Sequence, residues 1–68
     1  MREFLTVPEV ADRWKLHPKK VYEYINSGAL RAIRFGRSWR IEIGDLERFE
    51  DRLRRESENE LRIHRIGF

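Results

Sequence analysis

A chain of 68 residues without cysteine has room for one small domain and no disulfide or thiolate-metal staple to hold it. Its formal charge is +3, unevenly spread: residues 1–42 carry nine basic against five acidic side chains, a net of +4, and residues 43–68 carry six against seven, a net of −1. The charged start "MREFLTV" does not suit a signal peptide and no run of about 18 apolar residues occurs, so the expectation is a soluble cytoplasmic protein without membrane contact.

In chain order, "FLTVPEVADRW" opens with a helix start signal. Thr6 is placed to cap, Glu9 to return the capping-box bond, Pro8 to sit in the first turn and Leu5 to staple onto Val10. Val7, Val10, Ala11 and Trp14 then fall at i, i+3, i+4 and i+7, so the first helix is predicted to run to about Trp14. Pro18 disfavours helical geometry at His17 and suits the first position of a new helix, so "KLHPKK" reads as a short turn. In the second helix Val21, Tyr24 and Ile25 form an inward stripe, and Lys19, Tyr22, Glu23 and Asn26 face the other way. Gly28 is placed to close it.

The stretch "RAIRFGRSWR" sets Arg31, Arg34, Arg37 and Arg40 around Gly36 with no acidic residue among them. Alternation of Ile33, Phe35, Trp39 and Ile41 with arginines predicts a hairpin. A three-residue loop, Gly36-Arg37-Ser38, is expected because it pairs Phe35 with Trp39 and Ile33 with Ile41. That register puts Arg34 opposite Arg40 on the outer face, which a sheet tolerates poorly without an anionic partner. A solvated charged face is the plainer alternative.

Leu46, Phe49 and Leu53 at i, i+3 and i+7 predict a third helix, with Asp45 and Glu47 at its positive end and Arg52, Arg54 and Arg55 at its negative end. In "SENELRIHRIGF", Ser57 and Glu60 suit a second capping box, while Leu61, Ile63, Ile66 and Phe68 fit neither helical nor strand spacing. The expected division is a domain over residues 1–56 and a C-terminal tail over 57–68 that docks back or contacts a partner.

The string "FLTVPEVADRWKLHPKKVYEYINSGALRAIRFGRSWRIEIGDLERF" resembles the small excisionase-type helix-turn-helix domain, a winged-helix relative of the MerR regulators. The family pattern "LT.EVA", a short turn and "VY.WI.SG.L.A.R.G..WRI...DL..F" is matched across residues 4–49. The resemblance implies a mainly α fold, a winged helix-turn-helix of three helices plus a two-stranded wing and a short tail. It implies duplex DNA as partner, with readout by Lys19, Lys20, Tyr22 and Glu23 and wing contacts from Arg37, Ser38 and Arg40. Asn26 on the same helix face and Arg34 on the wing complete the candidate set. The usual Ser or Thr cap before the second helix is His17 here, and Pro18 and Lys19 replace common polar residues, so the recognised base sequence does not carry over.

Two roles recur among such domains: an excisionase, or recombination directionality factor, acting with a site-specific recombinase (integrase), and a small MerR-like transcription regulator. The absence of an effector domain or long coiled coil after the third helix favours the first. An antitoxin or adaptor using the same fold for protein contact is the competitor of another class. Cooperative self-association on DNA through the tail is a further expectation. Lys19 and Glu23 have the spacing of a plain i, i+4 ion pair, worth about 0.2–0.5 kcal/mol. Trp14, Tyr24 and Trp39 lie on apolar stripes and are expected in the core. His17 and His64 have no cysteine to join them, and no nucleophile stands with a base and an orienting acid. Neither metal, cofactor nor enzymatic activity is expected.

Overall fold

The elements follow as β1 (Phe4–Thr6), α1 (Val7–Trp14), α2 (Pro18–Asn26), β2 (Ile33–Phe35), β3 (Ser38–Glu42) and α3 (Ile43–Ile66), in a computed structural model that describes residues 3–66 and their side chains through residue 60. Thr6 ends the first strand and starts the first helix. Its Oγ1 accepts the Glu9 N–H at 3.2 Å, and the Glu9 carboxylate accepts the Thr6 N–H at 2.8 Å, so the capping box is complete. The Thr6 amide, then the Thr6 hydroxyl and more weakly the Arg40 charge hold Glu9 below its ordinary value of 4.5. A lowered carboxylate stabilises the fold above its ordinary value, and that share fades as pH falls through the lowered one.

Lys15 closes α1 in the left-handed conformation, φ 58° and ψ 41°, with its N–H donated to Asp12 O at 3.1 Å. A residue with a Cβ pays about 1–2 kcal/mol to sit there, and this sharp reversal is what separates the two helices. The His17 imidazole caps α2, its Nδ1 accepting the Lys19 N–H at 3.1 Å, which requires that nitrogen to be unprotonated. At the far end Gly28 adopts φ 82° and donates to Ile25 O, while Ala29 donates to Tyr24 O, both at 3.1 Å. These two bonds make a Schellman closure, the stop expected of Gly28.

The sheet has the order β1-β3-β2 and is antiparallel throughout. Its register corrects the expected hairpin. Ile33 pairs with Arg40, Arg34 with Trp39 and Phe35 with Ser38, which leaves a two-residue turn, Gly36-Arg37, in place of the three-residue loop. Arg34 therefore faces Trp39 and not Arg40. The physical reason lies in the turn: Gly36 takes φ 61° while Arg37 keeps a negative φ, the type II′ pattern with glycine in the first central position. The alternation of Ile33 and Phe35 does not signal burial, for no residue of β2 is buried. The sheet's inner face instead comes from Leu5 paired with buried Ile41, beside half-buried Trp39.

The core is Val7, Val10 and Ala11 of α1, Val21 of α2, Leu30, Ile41, and Leu46 and Phe49 of α3. Beside it the rings of Trp14, Tyr24 and Phe49 meet with centroids 5.0 to 6.0 Å apart. Glu50 ties α1 to α3. Its carboxylate accepts the Trp14 indole N–H at 2.6 Å and a two-pronged bond from Arg13, Nε at 2.9 Å and Nη2 at 2.7 Å. Arg52 donates to Ala29 O at 2.7 Å and fixes the segment after α2.

α3 is longer than the predicted third helix. It begins at Ile43, whose N–H goes to Glu3 O at 2.9 Å, and continues unbroken through Ser57 and Glu60 to Ile66. Residues 45–66 contain no glycine or proline, so nothing in them forces a stop. The capping box anticipated at Ser57 therefore starts no new helix. At 1.5 Å per residue the helix is about 36 Å long, and residues 54–60 are exposed beyond the core. The side chains of Leu61, Ile63 and Ile66, and all of Phe68, lie outside the described residues, and with them the expected docking of the tail.

Glu50→Ala should lower stability by about 1–3 kcal/mol, the worth of charge-assisted hydrogen bonds at a half-buried acceptor. For a domain of this size that is a fall in melting temperature of about 4–8 °C per kcal/mol. Trp14→Phe, which keeps a ring but removes the indole N–H, should cost less. Thermal unfolding checks both, and a Glu50→Ala protein melting with the parent would show the clamp to be ornamental.

Candidate nucleic-acid interface

The outward side of α2 follows from its 3.6-residue period. With Val21 buried and Tyr24 and Ile25 half-buried against the core, Lys19, Tyr22, Glu23 and Asn26 are left exposed, as is Lys20. Glu23 pairs with Lys20, Nζ to Oε2 at 3.4 Å, and not with Lys19 as its spacing had suggested. Lys20 Nζ also stands 5.5 Å from the centre of the Tyr24 ring. The surface thus offers ammonium, carboxylate, amide and phenol groups side by side on one rigid element.

Between α2 and the wing lies a cleft of about 360 Å³, lined by Thr6, Val7 and Pro8, by Tyr22, and by Arg37, Ser38, Trp39 and Arg40. It gathers four of the residues singled out in the sequence: Tyr22, Arg37, Ser38 and Arg40. Among the described residues Arg37 makes no ion pair and no side-chain hydrogen bond, so its five N–H donors are available to a ligand. Arg40 is half-buried and donates to its own neighbour's carbonyl, Trp39 O, at 3.2 Å. Guanidinium groups, a serine and a phenol around an open cleft are suited to the oxygens of a sugar-phosphate backbone.

The four arginines of the hairpin do not share one surface. Arg37 and Arg40 line the cleft. Arg34 lies over the opposite side of the sheet, its Nε bonded to Gly36 O at 3.1 Å and its guanidinium 5.8 Å from the Trp39 ring. Arg31 borders a separate hollow with Asp45, Arg48, Phe49 and Arg52. Lys19, Lys20, Glu23 and Asn26 lie on α2 beside Tyr22 but do not line the cleft. The sequence pattern missed the contribution of Thr6, Val7 and Pro8, because their role as a helix start accounted for them completely. The register that pairs Thr6 with Arg40 is what brings them to the cleft.

Among the described residues no group of three or more His, Cys, Asp or Glu is placed to hold a metal ion, and no helix is long and apolar enough to cross a membrane. The family described as the helix-turn-helix domain matches this chain over residues 4–54. No curated protein and no solved structure matches it.

Gly36 aims Arg37 and Ser38 into the cleft, and its positive φ is the reason for glycine there, since a Cβ would meet nothing within 4 Å. Gly36→Val should therefore destabilise by about 1–2 kcal/mol through the backbone alone, whereas Gly36→Asn, which tolerates the left-handed region, should cost less. Thermal unfolding separates the two. Equal losses would mean that φ is not what selects glycine.

Proposed function

The chain belongs to the helix-turn-helix domain family, a DNA-binding family, and we propose that it binds duplex DNA with α2 in the major groove and the β2–β3 wing on phosphates or the adjoining minor groove. The observation that carries this is the cleft in which Tyr22 of α2 faces Arg37, Ser38 and Arg40 of the wing. An α-helix about 10–12 Å across fits a major groove about 12 Å wide. In that pose Lys19, Lys20, Tyr22, Glu23 and Asn26 reach base edges or flanking phosphates, and Arg37, Ser38 and Arg40 hold the backbone. Arg34, tied to Gly36 O, adds charge while holding the turn.

The role we propose is that of an excisionase, a recombination directionality factor working with a site-specific recombinase. Its support is the resemblance of residues 4–49 to excisionase-type domains. A small transcription regulator of MerR-like type would use the same contacts, and recombination of an element carrying this gene, with and without the protein, distinguishes the two. We further propose that residues 57–68 act apart from the DNA-binding body over 1–56, in contacts between copies on DNA. The support is that α3 runs on past Leu53, which among the described residues is the last of α3 packed on the core. A chain ending at Ser57 should keep its single-site affinity and lose cooperativity on a multi-site fragment. Unchanged cooperativity would remove the self-contact.

Binding should weaken steeply with salt, since each phosphate neutralised contributes about 0.9 to the slope of log K against log salt. Arg37→Ala and Arg40→Ala should each make that slope shallower across many sequences, whereas Glu23→Ala should relax site preference more than it reduces non-specific affinity. Titrations at several salt concentrations, with site selection for the Glu23 variant, test this. A salt-insensitive complex would instead favour a protein-binding adaptor.

A further inference from the structure

Phe35 is 54% exposed and Ile33 40%, although both are large apolar side chains in a short strand. Folding does not explain them, because β2 buries nothing. The register puts Ile33 beside Arg40 and Phe35 beside Ser38, so both lie on the sheet face from which Ser38 and Arg40 reach the cleft. Phe4, from β1, meets Phe35 edge to face with centroids 5.9 Å apart, which backs the ring in place over that face. The charges flanking Phe35 in the chain are Arg34 and Arg37, and no carboxylate occurs between residues 31 and 41. The acidic residue of this face, Glu42, pairs with Phe4 and shares a hollow with Ile33, Asp45, Arg31 and Arg48, so the end of the face without a carboxylate is the one where Phe35 pairs with Ser38 beside the turn.

A fitting occupant of the surface around Phe35 offers an apolar wall with negative charge beside it, for the Arg37 and Arg40 side of the ring. The minor groove of duplex DNA does so, with sugar walls and base edges between two rows of phosphates, and apolar side chains among arginines are a recurring means of entering it. We propose that Phe35, backed by Phe4 and flanked by Arg37, is an apolar wedge that enters the minor groove beside the wing and partly unstacks one base step. This rests on the duplex-binding reading above and assigns a contact outside its polar set.

The test uses the full chain with Phe35→Ala and Phe35→Leu, on a duplex selected for binding to the parent and carrying 2-aminopurine at successive steps. Parental binding should raise the fluorescence of one step. Phe35→Ala should remove that rise and weaken binding about tenfold, in the range of one lost base contact, with an unchanged salt slope because no phosphate contact is lost. Phe35→Leu should retain most of the affinity and melt close to the parent, while Phe35→Ala gives up the Phe4 contact, worth about 0.5–1.5 kcal/mol, so its binding is compared at a temperature where both proteins are folded. A parent that binds with every 2-aminopurine silent overturns the wedge alone. So does a Phe35→Ala protein of parental affinity, or one whose only change is loss of self-association in sedimentation without DNA, which would make the face a protein contact. A parent that binds no duplex at any salt overturns the duplex-binding reading and the wedge with it.

Discussion

The Glu50 carboxylate sets the direction of the fold. Burial of Leu46, Phe49 and the residues around them supplies more stabilisation, about 1.5–3 kcal/mol for each large side chain, but apolar contact is not directional and leaves helices free to slide and rotate. Three donors converging on one carboxylate are directional. Arg13 and Trp14, the last residues of α1, are thereby locked to the third turn of α3, and the rings of Trp14, Tyr24 and Phe49 are held in their mutual tilt. Tyr24 belongs to α2, so the same cluster fixes which way the outward side of α2 points.

Four arginines within ten residues pose an electrostatic problem that the turn resolves. In a three-residue loop Arg34 and Arg40 would stand directly opposite each other. The type II′ turn at Gly36 shifts the pairing by one residue and sends them to opposite faces. Arg31 borders a separate hollow that also holds Asp45, and the Arg40 charge acts on Glu9. Since salt screens exposed charges beyond about 8 Å, dispersal over separate surfaces removes most of the repulsion without any ligand. The cluster therefore does not by itself require a polyanion. What points to one is narrower: Arg37, unpaired among the described residues, beside Ser38 and across a cleft from a helix with a polar, aromatic surface.

Features written in short-range chemistry were legible in the sequence. The Thr6–Glu9 box, the break at Pro18, the Gly28 closure and the two sides of α2 each depend on residues within one or two turns of one another, and each stands as expected. The hairpin register is not legible in the sequence, because alternation of apolar residues is the pattern of a half-buried strand, whereas Ile33 and Phe35 alternate on a strand that buries neither. β1 is three residues long and was hidden beneath a helix start signal. Glu50 contacts α1 across more than 35 residues, a separation that periodicity does not see. Its one local trace is position: it follows Leu46 by four and precedes Leu53 by three, which places a carboxylate at the rim of the apolar stripe of α3. For the interface, the residue types were readable, and their grouping into Tyr22, Arg37, Ser38 and Arg40 around one cleft was not.

The wing keeps Ile33 and Phe35 in solvent on a short edge strand. Both β1 and β2 are edges of the sheet, and an exposed apolar edge is a template for pairing with another chain. Each is only three residues long, β1 runs straight into α1, and β2 carries Arg34 at its centre with Arg37 just beyond its end. Short length and like charge oppose edge-to-edge association of two copies, because the copies would bring their arginines together. The same charge attracts an anionic surface. With Arg34 on one face of β2 and Arg37 just past its end, the charge that opposes pairing of two such edges is the same charge that favours an anionic surface over a second copy.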